Sequence, residues 1–273
     1  ILPSIINVKE EIADFIENKK RINFPEECVF GNALAKVVNT PKPQPLAPEM
    51  PQVDVAAIRR VVDNCEAGYL GLEDIRTLLD AAGISRKMEV EVDNVDAAVD
   101  FARKVGYPLV MKVVGPLHKS DVGGVVLNVK DEETVIREFN RLIKIPETYA
   151  VEIYPMLFGT EVFIGASKEE KFGHQVLFGL GGIFVEVMKD VKAALAPVSQ
   201  SEALSLLKQL RGYKILKGVR GQEPVNEELF SETVARVSAL VTAAPEIAEM
   251  DLNPLLGTSK SITAVDARIR IEK

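Results

Sequence analysis

The sequence has few of the residues that build disulfide frameworks and soft-metal sites. It contains no tryptophan, two cysteines and two histidines among 273 residues. Cys28 and Cys65 cannot form a disulfide framework, and no metal-ligand spacing connects them to either histidine. We therefore expect ordinary reduced thiols in a cytoplasmic protein.

Long apolar runs and an excess of basic charge are also missing. No apolar run approaches the length needed to cross a bilayer, and nothing resembles a secretory signal. Thirty-three basic against forty acidic residues give a net charge of −7. Without a basic stripe there is no counterion release to drive nucleic-acid binding. The sequence therefore predicts neither a membrane nor a nucleic acid as a partner.

Proline divides the chain. Five prolines between residues 40 and 51 cannot sustain a helix or an interior strand, so residues 40–52 read as an extended linker. The pattern in residues 1–39 predicts one amphipathic helix at residues 8–20 and a short helix after Pro25. Two such helices bury too little apolar surface to form a core of their own. They are interpreted as the tail of a preceding domain. Residues 53–273 form the main domain.

The main domain alternates between helical and strand patterns, which predicts an α/β (α+β) fold. Helices are expected at residues 56–62, 73–82, 94–105, 131–143, 199–212 and 226–244, with caps at Asn94, Asp131, Ser199 and Asn226. Strands are expected at residues 88–92, 109–114, 122–129, 149–154, 161–167, 175–178 and 262–271. No internal repeat is visible.

Residues 106–129 carry the first candidate site. Two β-branched runs flank a polar loop, and the first run contains Lys112, which needs a partner because an unpaired buried ammonium is costly. Gly115, Gly123 and Gly124 allow backbone N–H groups to approach an anion. This combination suggests a phosphate site.

Each histidine has two interpretations. His118, at the tip of that loop, is a possible phosphoryl acceptor, because an imidazole can carry a phosphoryl group. From the residues alone, a surface histidine is equally reasonable. His174 follows Gly173 in an expected turn and is read as a solvated surface residue.

Other polar positions are ambiguous by themselves. The glycine loop at residues 179–182 suits either phosphates or an ordinary tight turn. Glu152 and Glu161 lie in apolar strand contexts, where they could bind a sugar hydroxyl or an exocyclic amine, or face solvent. Arg220, flanked by glycines, is a weak candidate for a phosphate clamp.

Three oxygen-bearing side chains near the C-terminus suggest a magnesium site. Asp251 and Asn253 are two apart, so both face the same way in an extended chain. Asp266 lies in an apolar stretch, where a carboxylate is expected to be buried and costly unless it binds something. Such hard oxygen ligands suit Mg²⁺ that bridges nucleotide phosphates. The alternative is a simple turn before Pro254.

Taken together, these segments resemble one protein family. The motifs at residues 106–124, 178–190, 211–221, 251–254 and 265–268 are similar, in this order, to the ATP-grasp (β-subunit-like) portion of the nucleoside-diphosphate-forming acyl-CoA synthetases, relatives of succinyl-CoA synthetase. The similarity covers about residues 53–273. It implies an ATP-grasp fold with Mg²⁺ and ATP or ADP held between two α/β lobes, at about residues 53–148 and 149–273.

The resemblance also implies roles for individual residues. Lys112 would contact the phosphates, helped by Arg220 and by Gly181 and Gly182 of the glycine loop. The segment from Glu152 through Ile153 and Tyr154 to Met156 would hold the adenine through its backbone. Glu161 would lie near the ribose. Asn253 and Asp266 would bind Mg²⁺, with Asp251 beside them.

The implied reaction is acyl-CoA + ADP + phosphate ⇌ carboxylic acid + CoA + ATP. In this family an acyl phosphate gives its phosphoryl group to a histidine of the CoA-binding portion, and some members relay it through a second histidine, in the position of His118. The CoA-binding portion is not visible in this sequence. We expect it in the same polypeptide or in an α subunit, which would bring acyl-CoA or acyl phosphate to an oligomeric full-length protein.

Other interpretations of the family remain. Residues 1–50 resemble the end of a flavodoxin-like ligase domain, and the chain starts at Ile1 rather than methionine, so we expect the C-terminal part of a fused polypeptide. Related polypeptides use these domains as a regulatory module of a protein acetyltransferase, but the intact motifs favour catalysis. A different ATP-grasp ligase is disfavoured by the His-Lys-Ser-Asp loop at residues 118–121. Adenine rather than guanine follows from the family alone.

Overall fold

The computed structural model describes residues 24, 26–40, 49–115, 122–182, 190–219 and 221–273. The chain divides into two compact units, residues 1–47 and 48–273. In the first unit, helix α1 (Glu27–Val38) follows Pro25 as predicted, and none of its residues is buried. The helix predicted at residues 8–20 lies outside the described residues, as does most of the proline-rich segment.

The second unit alternates helices and strands. Its helices in the described ranges are α2 (Val55–Asn64), α3 (Leu72–Ala81), α4 (Val95–Val105), α5 (Glu132–Leu142), α6 (Gln200–Leu207), α7 (Tyr213–Leu216) and α8 (Glu227–Ala243). Its strands there are β1 (Gly68–Tyr69), β2 (Val90–Val92), β3 (Leu109–Val114), β4 (Val125–Val129), β5 (Ala150–Pro155), β6 (Thr160–Glu169), β7 (Gly173–Leu180), β8 (Val191–Leu195), β9 (Ile247–Gly257), β10 (Ile262–Ala264) and β11 (Ala267–Ile271). None of the described helices combines the length and apolar character that crossing a membrane requires.

Side-chain caps fix where several helices begin. The predicted caps Asn94, Asp131, Ser199 and Asn226 each accept a hydrogen bond from the backbone N–H three residues later, and Asp54 does the same for α2. Each cap satisfies one backbone donor that the first turn leaves free, worth about 1 kcal/mol. These four predictions are confirmed.

The strands form two antiparallel sheets. The larger sheet has the order β1–β11–β9–β6–β7–β8, with β10 paired to β9, and the smaller has the order β2–β5–β3–β4. The larger sheet packs against α8, which buries ten of its residues. The smaller sheet shares its core with α4 and α5. The expected mixed α/β architecture is therefore present.

The chain is distributed between the sheets differently from the predicted lobes. Ile58 of α2 and Leu78 of α3 belong to the core of the larger sheet, although both lie before residue 148. Strand β5, after residue 148, is a central strand of the smaller sheet. The two sheets therefore do not divide the chain at residue 148, because an apolar stripe shows that a face is buried but not which sheet buries it.

Two element boundaries also differ from prediction. The strand expected at residues 262–271 is interrupted between β10 and β11, where Val265 N–H donates to Pro254 O. The helix expected to end near Gly212 ends at Leu207. The carboxylate of Asp190 instead accepts hydrogen bonds from the backbone N–H groups of Arg211 and Gly212, which holds them in a turn.

Candidate functional site

The two sheets border one charged cavity. Its walls come from α3, from residues 86–91, from β3 and β5 of the smaller sheet, and from the turn between β10 and β11 of the larger sheet. The ionisable residues that line it are Arg76, Arg86, Lys87, Glu89, Glu91, Lys112, Glu152 and Asp266. Three of the predicted site residues, Lys112, Glu152 and Asp266, are therefore brought to one place by the fold.

Lys112 has the partner that its position required. It lies directly opposite Glu152 on neighbouring strands β3 and β5. The Lys112 Nζ and Glu152 Oε2 atoms are 3.9 Å apart, with the glutamate side chain buried and the lysine side chain 29% exposed. The ammonium group of Lys112 is therefore close to a carboxylate, and its side chain is still partly exposed.

A second lysine, which the sequence did not point to, binds Glu152 more closely. Lys87 Nζ lies 2.6 Å from Glu152 Oε1 and 2.8 Å from Glu89 Oε2. It also lies 3.9 Å from the centre of the Tyr154 ring, a cation–π distance. Arg76 Nε lies 3.0 Å from the other oxygen of Glu89. Lys87 belongs to no motif and lies just before a short strand, so no sequence signal marked it.

Burial and neighbouring charges shift the pKa values of these groups. Burial alone would raise the pKa of Glu152, but its contacts with Glu89 and Lys87 lower that pKa to about 2. Burial and the neighbouring Glu152 raise the pKa of Glu89, although Lys87 opposes them. Burial would lower the pKa of Lys87, but Glu152 and Glu89 together raise it. The contacts of Lys87 with Glu152 and Glu89 therefore oppose the effect of burial on all three groups.

Part of the segment predicted to hold adenine is already paired or buried within the smaller sheet. Ile153 is fully buried and Tyr154 is half-buried. Pro155 has no N–H, and the Met156 N–H donates to Pro108 O at 2.8 Å. The last two positions of the segment therefore offer no free backbone donor to a base in this structure.

Glu161 and the glycine loop lie together. Gly181 N–H donates to Glu161 O at 2.8 Å. Gly182 has φ +58°, a backbone conformation that favours glycine, and a Cβ there would come within 2.1 Å of Glu161 Oε2 unless that side chain moved. Glu161 and Gly181 line a second cavity of ≈ 640 Å³, together with Phe158, Ile215 and Val219 among others. Among the described residues, none lines both cavities, and the predicted site residues placed so far fall into two groups.

Asp251 is the strongest of the predicted metal ligands. Asp251 and Asn253 lie on one face of β9, half-buried and exposed respectively, as the two-residue spacing required. Asp251 Oδ1 is buried and has no hydrogen-bond partner among the residues that the structure describes. Burial raises the pKa of Asp251, which Arg268, opposite it on β11, partly offsets.

The prediction that Asp266 is buried is wrong. Asp266 is exposed in the turn between β10 and β11, where its Oδ1 accepts a hydrogen bond from Ala267 N–H. Its apolar neighbours are the ends of two separate strands, so the local composition suggested burial that the turn does not provide. In this position the carboxylate faces the cavity that also contains Lys112.

The chemistry of these oxygens fits a divalent cation. A buried carboxylate oxygen without a donor is costly, and a hard cation would satisfy it. Asp251, Asn253 and Asp266 offer carboxylate and amide oxygens, the ligands that Mg²⁺ prefers. Within the described ranges, no three His, Cys, Asp or Glu side chains are close enough to form a metal site by themselves. A cation here would need further oxygen ligands, such as phosphates.

Two predicted residues cannot be placed, and one histidine was misjudged. His118 and Arg220 lie outside the described residues. His174 is buried rather than solvated, and its Nε2 lies 2.7 Å from Ile247 O. Because β7 begins at Gly173, His174 is its first inward-facing residue, where the sequence indicated a turn.

The fold is that of a known class. The model of the family described as "ATP-grasp domain" matches residues 62–271, most of the second unit. In sequence, the chain is 37% identical over 227 residues to the acetate–CoA ligase [ADP-forming] I subunit beta of Pyrococcus furiosus, covering 79% of this chain and 98% of that protein. The chain therefore belongs to the ATP-grasp family and, within it, to the group that contains the β subunits of ADP-forming acetate–CoA ligases.

Two further relatives extend the comparison. The acetate–CoA ligase [ADP-forming] II of Archaeoglobus fulgidus is 40% identical over 203 residues, but this covers 71% of our chain and only 29% of that longer protein. The acetyl-coenzyme A synthetase 1 of Candidatus Korarchaeum cryptofilum superposes with a TM-score of 0.68 and 35% identity, covering 80% of this chain and 100% of the matched chain. That structure contains coenzyme A and Mg-AMPPCP, with a phosphohistidine segment pointing towards the nucleotide-binding site.

Proposed function

We propose that this chain is the nucleotide-binding module of an ADP-forming acyl-CoA synthetase. In this role it passes a phosphoryl group from a phosphohistidine to ADP, completing acyl-CoA + ADP + phosphate = carboxylic acid + CoA + ATP. The observation that carries the proposal is the membership of the β-subunit group. In the same unit, Lys112 is partly exposed and Asp251 Oδ1 accepts no hydrogen bond from the described residues. Phosphoryl transfer depends mainly on positioning and charge stabilisation, which such groups provide.

Each site residue has a defined task in this proposal. Lys112 holds the phosphates, Glu161 binds the ribose, and Gly181 and Gly182 let a backbone approach the phosphate chain. Glu161 and its glycines are already in contact, which supports a shared ligand. Asn253, Asp266 and Asp251 are the proposed Mg²⁺ ligands, and the ion would supply positive charge to the β- and γ-phosphate oxygens. Arg220 is proposed as a further phosphate contact from its motif alone.

The transfer itself is balanced without an oxidant or reductant. A β-phosphate oxygen of ADP attacks the phosphorus, the N–P bond to the imidazole breaks, and the P–O bond of ATP forms. His118 is the proposed carrier, on the strength of its motif. The electron pair of the N–P bond stays on the imidazole nitrogen, and a proton from solvent then makes the released ring neutral if its other nitrogen carries none.

The rest of the cycle belongs to partner domains. CoA-binding and ligase domains, in an α subunit or the same polypeptide, are proposed to form the acyl phosphate and the first phosphohistidine. Residues 1–39 are proposed to belong to such a domain and residues 40–52 to link it to the nucleotide module. The β-subunit identity of one relative and the bound coenzyme A of another support this arrangement. We also propose that the full-length protein is an oligomer, as the β-subunit identity of the first relative suggests.

The test is mass spectrometry at neutral pH after incubation with Mg-ATP. We expect an acid-labile phosphoryl adduct of about 80 Da on the peptide that contains His118. The adduct should be absent from His118→Asn. Because the sequence has only two histidines, His174 provides an internal control, and it is buried against Ile247 O. Addition of ADP to the isolated adduct should release it as ATP.

The outcomes are distinct. An adduct that persists in His118→Asn would exclude His118 as the carrier. Failure of the chain to bind Mg-ADP by calorimetry would contradict the proposed function itself. Binding without an adduct, even with the CoA-binding partner and acyl-CoA supplied, would indicate a regulatory module that has kept its nucleotide site.

A further inference from the structure

Five side chains of alternating charge run through the cavity. They are Arg76, Glu89, Lys87, Glu152 and Lys112, in order of contact, and successive members lie 3.0, 2.8, 2.6 and 3.9 Å apart. Arg86 lines the same cavity but is paired with Asp80, outside this chain of contacts. In formal charges, three basic and two acidic side chains leave one positive charge. The most exposed member is Lys112, at the end of the series.

Lys87 and Lys112 share one carboxylate unequally. Lys87 is 2.6 Å from one oxygen of Glu152, whereas Lys112 is 3.9 Å from the other. Electrostatic attraction falls with distance, so Lys87 neutralises most of the Glu152 charge. Lys87 is fixed there by its second carboxylate, Glu89, and by the ring of Tyr154. Lys112 is therefore only loosely bound within the protein.

We propose that Lys87 is a positioning residue that keeps Lys112 available to the nucleotide phosphates by occupying Glu152. This inference rests on the proposed function, because it assigns Lys112 to phosphate. Without Lys87, Glu152 would have Lys112 as its nearest remaining cation among the described residues. A buried carboxylate needs such a partner, so Lys112 would turn towards Glu152 and away from the ligand.

A double-mutant cycle tests the proposal through Mg-ADP affinity, measured by calorimetry. Lys87→Met keeps the length of the side chain and should weaken binding about tenfold, the order expected for one lost charge-assisted contact. Glu152→Gln removes the competitor and should bind at least as tightly as the wild type. The double variant Lys87→Met/Glu152→Gln should recover to within about threefold of the wild type. Lys87→Arg, which keeps the charge, should bind close to the wild type.

Two controls separate positioning from structural damage. Melting temperatures show whether Lys87→Met is folded at the assay temperature. In a Lys112→Met background, Lys87→Met should have no further effect on affinity, because it acts through Lys112. A purely structural role predicts the opposite pattern, in which the double variant with Glu152→Gln binds no better than Lys87→Met alone.

Either of two results would overturn the inference. One is an unchanged Mg-ADP affinity in Lys87→Met, and the other is a double variant that fails to recover. Both leave the proposed function intact, because the wild type still binds. If the wild type itself fails to bind Mg-ADP, the proposed function falls and this inference falls with it.

Discussion

Lys112 and Glu152 face each other across β3 and β5, with the ammonium nitrogen 3.9 Å from the nearer carboxylate oxygen. The pair places a positive charge at the mouth of the cavity and its counter-charge in the wall behind it. Lys87 already binds that carboxylate at 2.6 Å. Lys112 can therefore leave Glu152 and bind a ligand at little cost in free energy. This relationship gives the first prediction.

Lys112→Ala should weaken Mg-ADP binding by about tenfold to a hundredfold, since it removes a charge-assisted phosphate contact. Stability should change little, because Glu152 keeps Lys87 as its partner. Calorimetry and thermal melting measure the two effects. Lys171→Ala, in the exposed turn between β6 and β7, is the matched control and should leave the affinity unchanged. Equal losses in the two variants would contradict a specific role for Lys112.

Asp251→Asn should stabilise the metal-free protein at neutral pH by about 2–4 °C, since it removes the charge of a half-buried carboxylate whose Oδ1 has no hydrogen-bond partner among the described residues. Burial raises the folded-state pKa of Asp251 above its usual 3.8. As the pH falls through that raised pKa, Asp251 is protonated and the wild type no longer bears the free-energy cost of a buried charge. The difference in melting temperature between the two proteins should therefore shrink. Thermal melting across pH 4–8 measures this.

With magnesium bound, the ionised Asp251 should stabilise the protein, whereas in the metal-free protein it destabilises it. Mg²⁺ with ADP should raise the melting temperature of the wild type more than that of Asp251→Asn, because the ion needs the ionised carboxylate. Glu249→Gln removes a more exposed charge on the same strand face and serves as the control. A variant that responds to Mg²⁺ as the wild type does would exclude Asp251 as a ligand.

Glu152→Gln should destabilise the protein at neutral pH, and the effect should fade in acid. The folded-state pKa of Glu152 is about 2, below its usual 4.5. Its ionised form therefore contributes stability above pH 4.5, and that contribution is lost as pH falls from 4.5 towards 2. Urea unfolding should give the same difference in unfolding free energy between the wild type and Glu152→Gln at pH 7 and 5.5, and a smaller difference at pH 4. Glu170→Gln, in an exposed turn, should show no such difference.

Gly115→Ala should destabilise the second unit by at least about 2 kcal/mol. Gly115 has φ +132°, and a Cβ there would lie 2.0 Å from the Glu147 backbone oxygen, which cannot move aside cheaply. Gly71→Ala is the control, because its Cβ would meet nothing within 4 Å and its φ is −71°. Urea unfolding compares the two. Similar stability in both variants would show that the Gly115 backbone relaxes.

Much of the local structure follows from the sequence. Asn94, Asp131, Ser199 and Asn226 cap the helices they were expected to cap, because the side chain and the backbone N–H that it binds are three residues apart. The strand at residues 109–114 follows from its β-branched run, and the need of Lys112 for a partner follows from its place in it. The order of the motifs also indicated the family.

Contacts between distant segments were beyond the sequence. Lys87 and Glu152 are 65 residues apart. Nothing in the local sequence around either residue indicates that the two side chains form an ion pair. Asp266 was expected to be buried because its neighbours are apolar, but the turn after β10 exposes it. His174 was expected in solvent because a glycine precedes it, but β7 starts early enough to turn it inward.

The sequence by itself determined the helix starts, the main strands, the family and most of the residues proposed for the nucleotide and metal. Those features depend on short-range periodicity, capping and motif spacing, which any segment carries within itself. The tertiary structure decided that α2 and α3 pack on the larger sheet, that Glu161 lies beside Gly182, and that Lys87 binds the partner of Lys112. Each of these contacts depends on which surfaces meet when the chain folds. An apolar stripe or a lone charge in the sequence indicates that a partner is needed, but it does not indicate which residue that partner is.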